Sequence, residues 1–257
     1  MTNKGPYIQS IQRAVAIMRA FSERKPELSV MELSRQLQLH KSTVSRMLGT
    51  LQHEGLISQN PETGKYRLGV GLVSLAGVAL GRQNARAAAQ PYLSELVDLT
   101  QETVNVSVRD GRECINIERA FSPQPIRYMG WIGRRAPLHC TASGQVLLAY
   151  MAPAERRALL PQPLPKFTTH TKTSLEELDL VFTRILAQEY VIVQEEYEEG
   201  FTAIAAPIYD HKGRVEATLT ISGPTYRLDN ERCRRFVPHL LETAARISAD
   251  LGYHARD

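Results

Sequence analysis

Apolar residues recur along this chain with two different periods, and the change of period divides it. In the first quarter the spacing is helical. Ile11, Val15, Met18 and Phe21 mark one face of a first amphipathic helix, which Lys25-Pro26-Glu27 ends. Ser29-Val30-Met31-Glu32 has the form of a capping box, in which serine and glutamate each satisfy the other's free backbone donor. It predicts a second, short helix that buries Met31, Leu33 and Leu37 and stops near Gln38-Leu39-His40. A third helix follows at once, with Val44, Leu48 and Leu51 inward and Gly55 at its end. Leu56-Ile57-Ser58 and Tyr66-Arg67-Leu68 read as short strands around the turn Asn60-Pro61-Glu62-Thr63-Gly64. Three helices followed by a small hairpin is the pattern of a winged helix-turn-helix.

Beyond it, Leu72 to about Ala89 is rich in Ala and Leu and reads as helical, either a linker helix with interdomain or dimer contacts or the first core helix of a second domain. Pro91 to Thr100 reads as a separate helix. The period then drops to two. Val104, Val106 and Val108 alternate with polar residues, Cys114-Ile115-Asn116-Ile117 answers them, and Asp110-Gly111 between is a favoured hairpin turn. Helices are predicted over Ser143 to Met151 and over Ser174 to Ala187, the second opened by the capping box Ser174-Leu175-Glu176-Glu177. Val191 to Val193 is a predicted strand, and Ala203–Tyr209 and Val215–Ser222 form a hairpin around Asp210-His211-Lys212-Gly213. A last helix runs to about Leu251 with Gly252 as its stop, and Pro238 within it argues for a kink or a later start. Strands and helices are segregated, so the class is α+β. The organisation expected is a DNA-binding domain over 1–69, a linker helix over 70–88 and a second domain over 89–257.

Charge sharpens the first segment. The 257 residues carry a formal net charge of +4. Residues 1–69 hold ten Lys/Arg against five Asp/Glu, so the basic excess lies there and the remainder is close to neutral. That distribution suits a small phosphate-binding domain joined to a neutral one. A recognition helix needs short polar and basic residues in its first turns, where they reach base edges and phosphates. His40, Lys41, Ser42, Thr43, Ser45, Arg46 and Thr50 meet that need while Val44, Leu48 and Leu51 face inward. Arg46 is the candidate for bidentate contact with guanine, and Lys65 and Arg67 on the wing are placed for flanking phosphates.

The three cysteines, Cys114, Cys140 and Cys233, are widely spaced, so neither a zinc site nor a disulfide framework is indicated, and no metal or cofactor is expected. No apolar run approaches a membrane span, and Met1 to Ser10 lacks the apolar core of a signal peptide, so a cytoplasmic location without membrane contact is expected.

Three segments carry a family resemblance. Gln9 to Ala14, His40 to Arg46 and Thr50 to Gly55 look like the N-terminal domain of the IclR-type bacterial regulators. Gly133 to Gly144 resembles that family's effector-domain motif, and Glu196 with Ala203 to Asp210 resembles the latter half of its signature. The match runs from about Gln9 to Leu251. It implies a GAF/profilin-like α+β effector-binding domain, double-stranded operator DNA and a small organic acid as partners, assembly as a homodimer or homotetramer, and regulation of transcription, as a repressor by preference. The effector contacts it implies are Thr141, Ala142, Ser143 and Gly144 at a helix start, Ala136 before it, Val193, Ala203, Thr220 and Ser222 on strands opposite, and Tyr128 and Met129 over an apolar part of the ligand. Free amides and the hydroxyls of Thr141 and Ser143 would hold a carboxylate. Trp131 is a further apolar candidate, Arg134 and Arg135 further cations. Where family members commonly carry an acidic or hydroxyl residue three before the Glu aligned with Glu196, this chain has Val193; where a small residue is usual, it has Glu189; and where some have Cys it has Ala203. Two polar pocket positions thus become apolar, which favours an acid with a substantial apolar part, such as an aromatic one.

An enzyme is the main alternative. Thr141-Ala142-Ser143-Gly144 lacks the first glycine of a nucleophile elbow, His139-Cys140 is better read as a packed cysteine, and Gly69-Val70-Gly71 lacks the third glycine of a dinucleotide loop. A sensor that no longer binds DNA is the other alternative, and the basic face of His40 to Arg46 speaks against it.

Overall fold

The computed structural model describes residues 8–22, 25–80 and 84–254. The chain divides into two units, Met1–Arg82 and Gln83–Asp257. The linker helix expected over 70–88 includes residues 81–83, which lie outside those described.

The first unit holds α1 (Gln9–Arg19), α2 (Val30–Leu37), α3 (Lys41–His53), β1 (Ile57–Gln59), β2 (Tyr66–Leu68) and α4 (Gly71–Leu80). Its core joins Ile17, Phe21, Leu28, Leu33, Val44, Leu48, Leu51 and Ile57. The predicted faces of α1 and α2 need correction: Ile11 is 58% and Met31 46% exposed, because Ile17 and Leu33 are the residues that reach the shared core. The capping box of α2 forms as expected, with the Glu32 amide donating to Ser29 Oγ and the Ser29 amide to the Glu32 carboxylate. Gln38, in the left-handed region, ends the helix. Gly55 does the same after α3, at φ 71°, a conformation glycine adopts without a Cβ penalty. The wing is tied to the body twice. Leu28 and Tyr66 exchange backbone bonds of 2.9 and 2.8 Å. The Glu27 carboxylate accepts from Asn60 Nδ2 and Thr63 Oγ1 in the turn.

The second unit contains α5 (Asn84–Thr100), β3 (Thr103–Asp110), β4 (Glu113–Ala120), β5 (Arg135–Pro137), α6 (Ala142–Ala149), α7 (Pro153–Leu159), α8 (Leu175–Gln188), β6 (Val191–Gln194), β7 (Phe201–Tyr209), β8 (Val215–Pro224) and α9 (Asn230–Asp250). Its six strands form one antiparallel sheet in the order β5-β4-β3-β8-β7-β6. Helices α5 and α9 pack together on one face; α6, with α8 behind it, covers the other. Pro91 and Pro238 lie inside α5 and α9, so neither helix starts at its proline as the local signal suggests. A proline inside a helix costs about 3 kcal/mol. Burial of Ala89, Leu93 and Leu96 from α5 and of Phe236, Leu240 and Ile247 from α9 offsets that, at about 1.5–3 kcal/mol for each large side chain.

Both faces of the sheet being covered fixes the character of its interior. On β3, Val104 and Val106 face one way and Thr103, Asn105 and Ser107 the other, yet all five are buried. On β8, Leu219 and Ile221 alternate with Thr218, Thr220 and Ser222, again all buried. Cross-strand pairing sets Asn105 opposite Thr220 and Thr103 opposite Ser222. A band of hydroxyl and amide groups therefore runs under α6. No helix among the described residues is long and apolar enough to cross a membrane.

The β7–β8 hairpin closes on Asp210. Burial works against its charge, but four donations outweigh it, from the Lys212 and Arg214 amides and from Arg214 Nε and Nη2, and hold the carboxyl down to about 2. With the folded pKa below the unfolded value near 4, this stabilisation is complete above pH 4 and lost as pH falls from about 4 to 2. Urea denaturation across that window should show Asp210→Asn less stable than wild type at pH 6, with the difference shrinking towards pH 2. A constant difference would mean that the charge contributes nothing.

Candidate DNA-reading helix and effector cavity

The first candidate surface is the outer face of α3. His40 is its N-cap, with Nδ1 accepting from the Ser42 amide at 3.3 Å and lying 2.7 Å from Ser42 Oγ. The imidazole that sequence placed against DNA thus also starts the helix. Lys41, Ser42, Ser45, Arg46 and Thr50 are exposed, and Thr43 is half-buried. Thr50 donates its hydroxyl to the Arg46 carbonyl, which leaves only its acceptor lone pairs outward. Neither Lys41 nor Arg46 has an ion-pair partner among the described residues. On the wing, Arg67 is exposed and donates Nε to Ser58 Oγ, and Lys65 is half-buried. An open groove between α1 and α3 also brings Arg13 beside Thr43, Arg46 and Thr50. Arg13 lies outside the recognition motif, which it precedes by a whole helix.

The second is a cavity between the polar band of the sheet and the start of α6. Its water-accessible space is about 80 Å³, room for several water-sized groups at roughly 10–15 Å³ each. Of the effector contacts named from sequence, Tyr128, Ala136, Thr141, Ala142, Ser143, Val193, Ala203, Thr220 and Ser222 line it. Met129 and Gly144 do not. Met129 is 49% exposed. Gly144 is a contact glycine: a Cβ there would lie 2.2 Å from the Leu138 carbonyl oxygen, so its absence lets α6 seat against the preceding strand segment. Trp131 is also outside the cavity, 42% exposed. Arg134 lines the cavity while Arg135 is turned out to Asp110 and Glu113.

Thr141 has a different job from the one expected. It is the N-cap of α6; its hydroxyl donates to the Pro137 carbonyl at 2.7 Å and accepts from the Gly144 amide at 3.2 Å. Its side chain is committed to the helix. The amides of Ala142 and Ser143 remain without acceptors among the described residues, as the first amides of a helix do. Ser143 Oγ lies 2.8 Å from Thr220 Oγ1, which fastens the helix start to β8. Arg134 Nη2 meets Glu198 at 3.3 Å, and its guanidinium carbon stands 5.0 Å from the Tyr128 ring. Burial is the main cause pushing the Tyr128 phenol up to about 12, so it is neutral. Glu196 is buried on the cavity wall but already paired: Lys172 and Gln145 Nε2 hold its carboxylate. Its charge is thereby spent on structure. The uncompensated positive field in the cavity is that of the α6 amides.

Sequence missed Asn105, Asn116, Tyr197 and Phe201, which also line the cavity. The period-two run Thr103-Val104-Asn105-Val106-Ser107 marks a strand but does not say that a second helical layer buries its polar members as well.

Nothing here is arranged for nucleophilic chemistry. Cys140 is fully buried and burial pushes its thiol up. His139 donates Nε2–H to the Pro165 carbonyl rather than serving the cysteine, and burial lowers its basicity. Among the described residues no group of His, Cys, Asp and Glu is placed to hold a metal ion.

A winged helix-turn-helix and a cavity of mixed polar and apolar lining on one chain define a class of DNA-binding regulators that receive a small molecule. Comparisons narrow it. Residues 10–61 match the IclR helix-turn-helix domain and residues 77–249 the C-terminal domain of bacterial transcriptional regulators of IclR type. The chain is 38% identical over 251 residues to the HTH-type transcriptional regulator XynR of Escherichia coli, covering 97% of this chain and 100% of that one. It is 32% identical to the HTH-type transcriptional repressor AllR of the same species, over 96% of this chain and 92% of the other. Among solved structures, an IclR homolog from Microbacterium hydrocarbonoxydans complexed with 4-hydroxybenzoate superposes with a TM-score of 0.83 at 27% identity, covering 95% and 99% of the two chains. The chain belongs to the IclR family of bacterial transcription regulators. It is a DNA-binding regulator with an effector-type C-terminal domain, and it is not an enzyme.

Gly144→Ala should destabilise the second unit by about 1–3 kcal/mol or more, since backbone at Leu138 must move to admit the methyl. Thermal unfolding of the full chain reads this directly. An unchanged melting temperature would show that the α6 contact is loose.

Proposed function

We propose that the protein represses transcription from an operator and that a small organic acid in the cavity under α6 sets its operator affinity. One observation carries the effector half: the Ala142 and Ser143 amides lie without acceptors among the described residues at the start of a helix that lines the cavity. A carboxylate there gains charge-assisted bonds and a favourable helix dipole. Tyr128, Tyr197 and Phe201 supply an apolar wall; with Val193 and Ala203 they suit an acid whose body is partly apolar, aromatic acids included. The complex of the Microbacterium homolog with 4-hydroxybenzoate supports that choice by analogy. The repressor reading draws support from the relative named a repressor.

On DNA, α3 enters the major groove with Lys41, Ser42, Ser45 and Arg46 foremost. One such helix reads a short half-site, so binding is by a homo-oligomer, a dimer or a tetramer. Val73 and Leu75 on α4, 70% and 60% exposed, are the surface proposed for contacts between copies. The regulator then consists of a DNA-binding domain over 1–69, a linker over 70–88 and an effector domain over 89–257. Effector binding acts only through unequal affinity for the arrangements that do and do not bind operator.

Arg46→Ala should weaken binding to an operator fragment from the chain's own upstream region by about tenfold or more, against a smaller loss on unrelated DNA, in gel shifts at one fixed salt concentration. Equal losses on both fragments would demote Arg46 to a phosphate contact.

A further inference from the structure

The cavity floor holds a buried group that the fold leaves unserved. Asn105, on the central strand β3, is 2% exposed and lines the cavity. Its side-chain Oδ1 is buried and has no hydrogen-bond partner among the described residues. Four of its polar neighbours are engaged. Thr103 Oγ1 donates to the Tyr128 carbonyl, Ser107 Oγ donates to Asn116 Oδ1, Thr218 Oγ1 donates to the Ser107 carbonyl, and Thr220 pairs with Ser143. Among the described residues of this band only the Ser222 hydroxyl and the Asn105 amide are left without partners, and both line the cavity. Leaving a buried amide unpaired is costly, whereas an apolar residue of similar shape would pack there without that cost.

Resting on the effector reading above, we infer that Asn105 selects the effector by a hydroxyl group, so that the ligand is a hydroxylated carboxylate rather than a plain one. An amide side chain offers an acceptor and donors side by side. A hydroxyl is both donor and acceptor, so one hydroxyl serves the amide in either orientation; a hydrocarbon edge serves neither, and a keto oxygen cannot donate to Oδ1. Register places the hydroxyl relative to the acid. Asn105 pairs with Thr220 on β8, and Thr220 is bonded to Ser143 in the first turn of α6. Cross-strand neighbours stand roughly 5 Å apart at Cβ. With the Thr220–Ser143 hydrogen bond and the side-chain bonds on either side of it added, the amide lies on the order of 10 Å from the free α6 amides. A carboxylate at α6 and a hydroxyl along or across a small carbon skeleton span that distance. The ligand's apolar part lies against Tyr128, Tyr197 and Phe201.

Sites built to bond a hydroxyl reject the analogue that lacks it, because the protein group is left buried and unpaired. The test is calorimetry on the full-length protein with two matched pairs: 4-hydroxybenzoate against benzoate, and gluconate against hexanoate. In at least one pair the hydroxylated member should bind wild type about tenfold tighter or more. Asn105→Leu should bring that ratio to within about twofold, leave the hydroxyl-free acid binding as before, and melt no lower than wild type without ligand, since it removes an unpaired amide. A merely structural asparagine would instead lower the melting temperature and weaken both acids together. If Asn105→Leu does not fold, Asn105→Thr decides, keeping a hydroxyl and retaining part of the preference. Equal binding of both members by wild type, or a preference that survives Asn105→Leu, overturns the inference while leaving an organic-acid effector standing. Binding of none of the four acids overturns the organic-acid reading and the role of Asn105 with it.

Discussion

The cavity depends on one constraint: the six-stranded sheet is covered on both faces. A sheet with one solvated face disposes of its alternate polar residues in water. Here α5 and α9 take one face and α6 with α8 the other, so the polar members of β3 and β8 are forced inside. Each must find a partner in the protein or in a ligand. The partners that form hold α6 over the sheet, through Ser143 with Thr220, and tie β4 to β3, through Ser107 with Asn116. Ligand space and structural support arise from the same band of residues.

The ends of helices then decide what that space receives. Thr141 spends its hydroxyl on capping α6 and so fixes the direction of the helix, while the next two amides stay free to meet an anion. Gly144 brings that turn against Leu138. Both carboxylates on the wall are already paired, Glu196 with Lys172 and Gln145 and Glu198 with Arg134. In the other unit the same economy appears at His40, which caps α3 and stands at the edge of the DNA-reading face.

Local signals made much of this legible. The capping boxes at Ser29 and Ser174, the stops at Gly55 and Gly252, and the period-two runs gave the elements their type and nearly their bounds. What failed was what depends on a distant layer. Ile11 has the right period for a core face, but the core lies on the Ile17 side of α1. Pro91 and Pro238 break local rules that tertiary burial overrides. Asn105 lies on a period-two strand whose pattern does not say that a second helical layer buries it. Val193 and Ala203, the departures that made the site look apolar, do line the cavity, but they face a floor of amides and hydroxyls that short-range pattern could not place there.

The account makes the two units ends of one equilibrium, in which occupation of the cavity changes operator affinity. The direct measurement is operator binding by the full chain, followed by fluorescence anisotropy at fixed salt, with and without a carboxylate already shown by calorimetry to occupy the cavity. The account predicts a shift in operator affinity of about fivefold or more, and a shift of the same factor in acid affinity when operator is present, since coupling is reciprocal. An acid that saturates the cavity yet leaves operator affinity unchanged would contradict it.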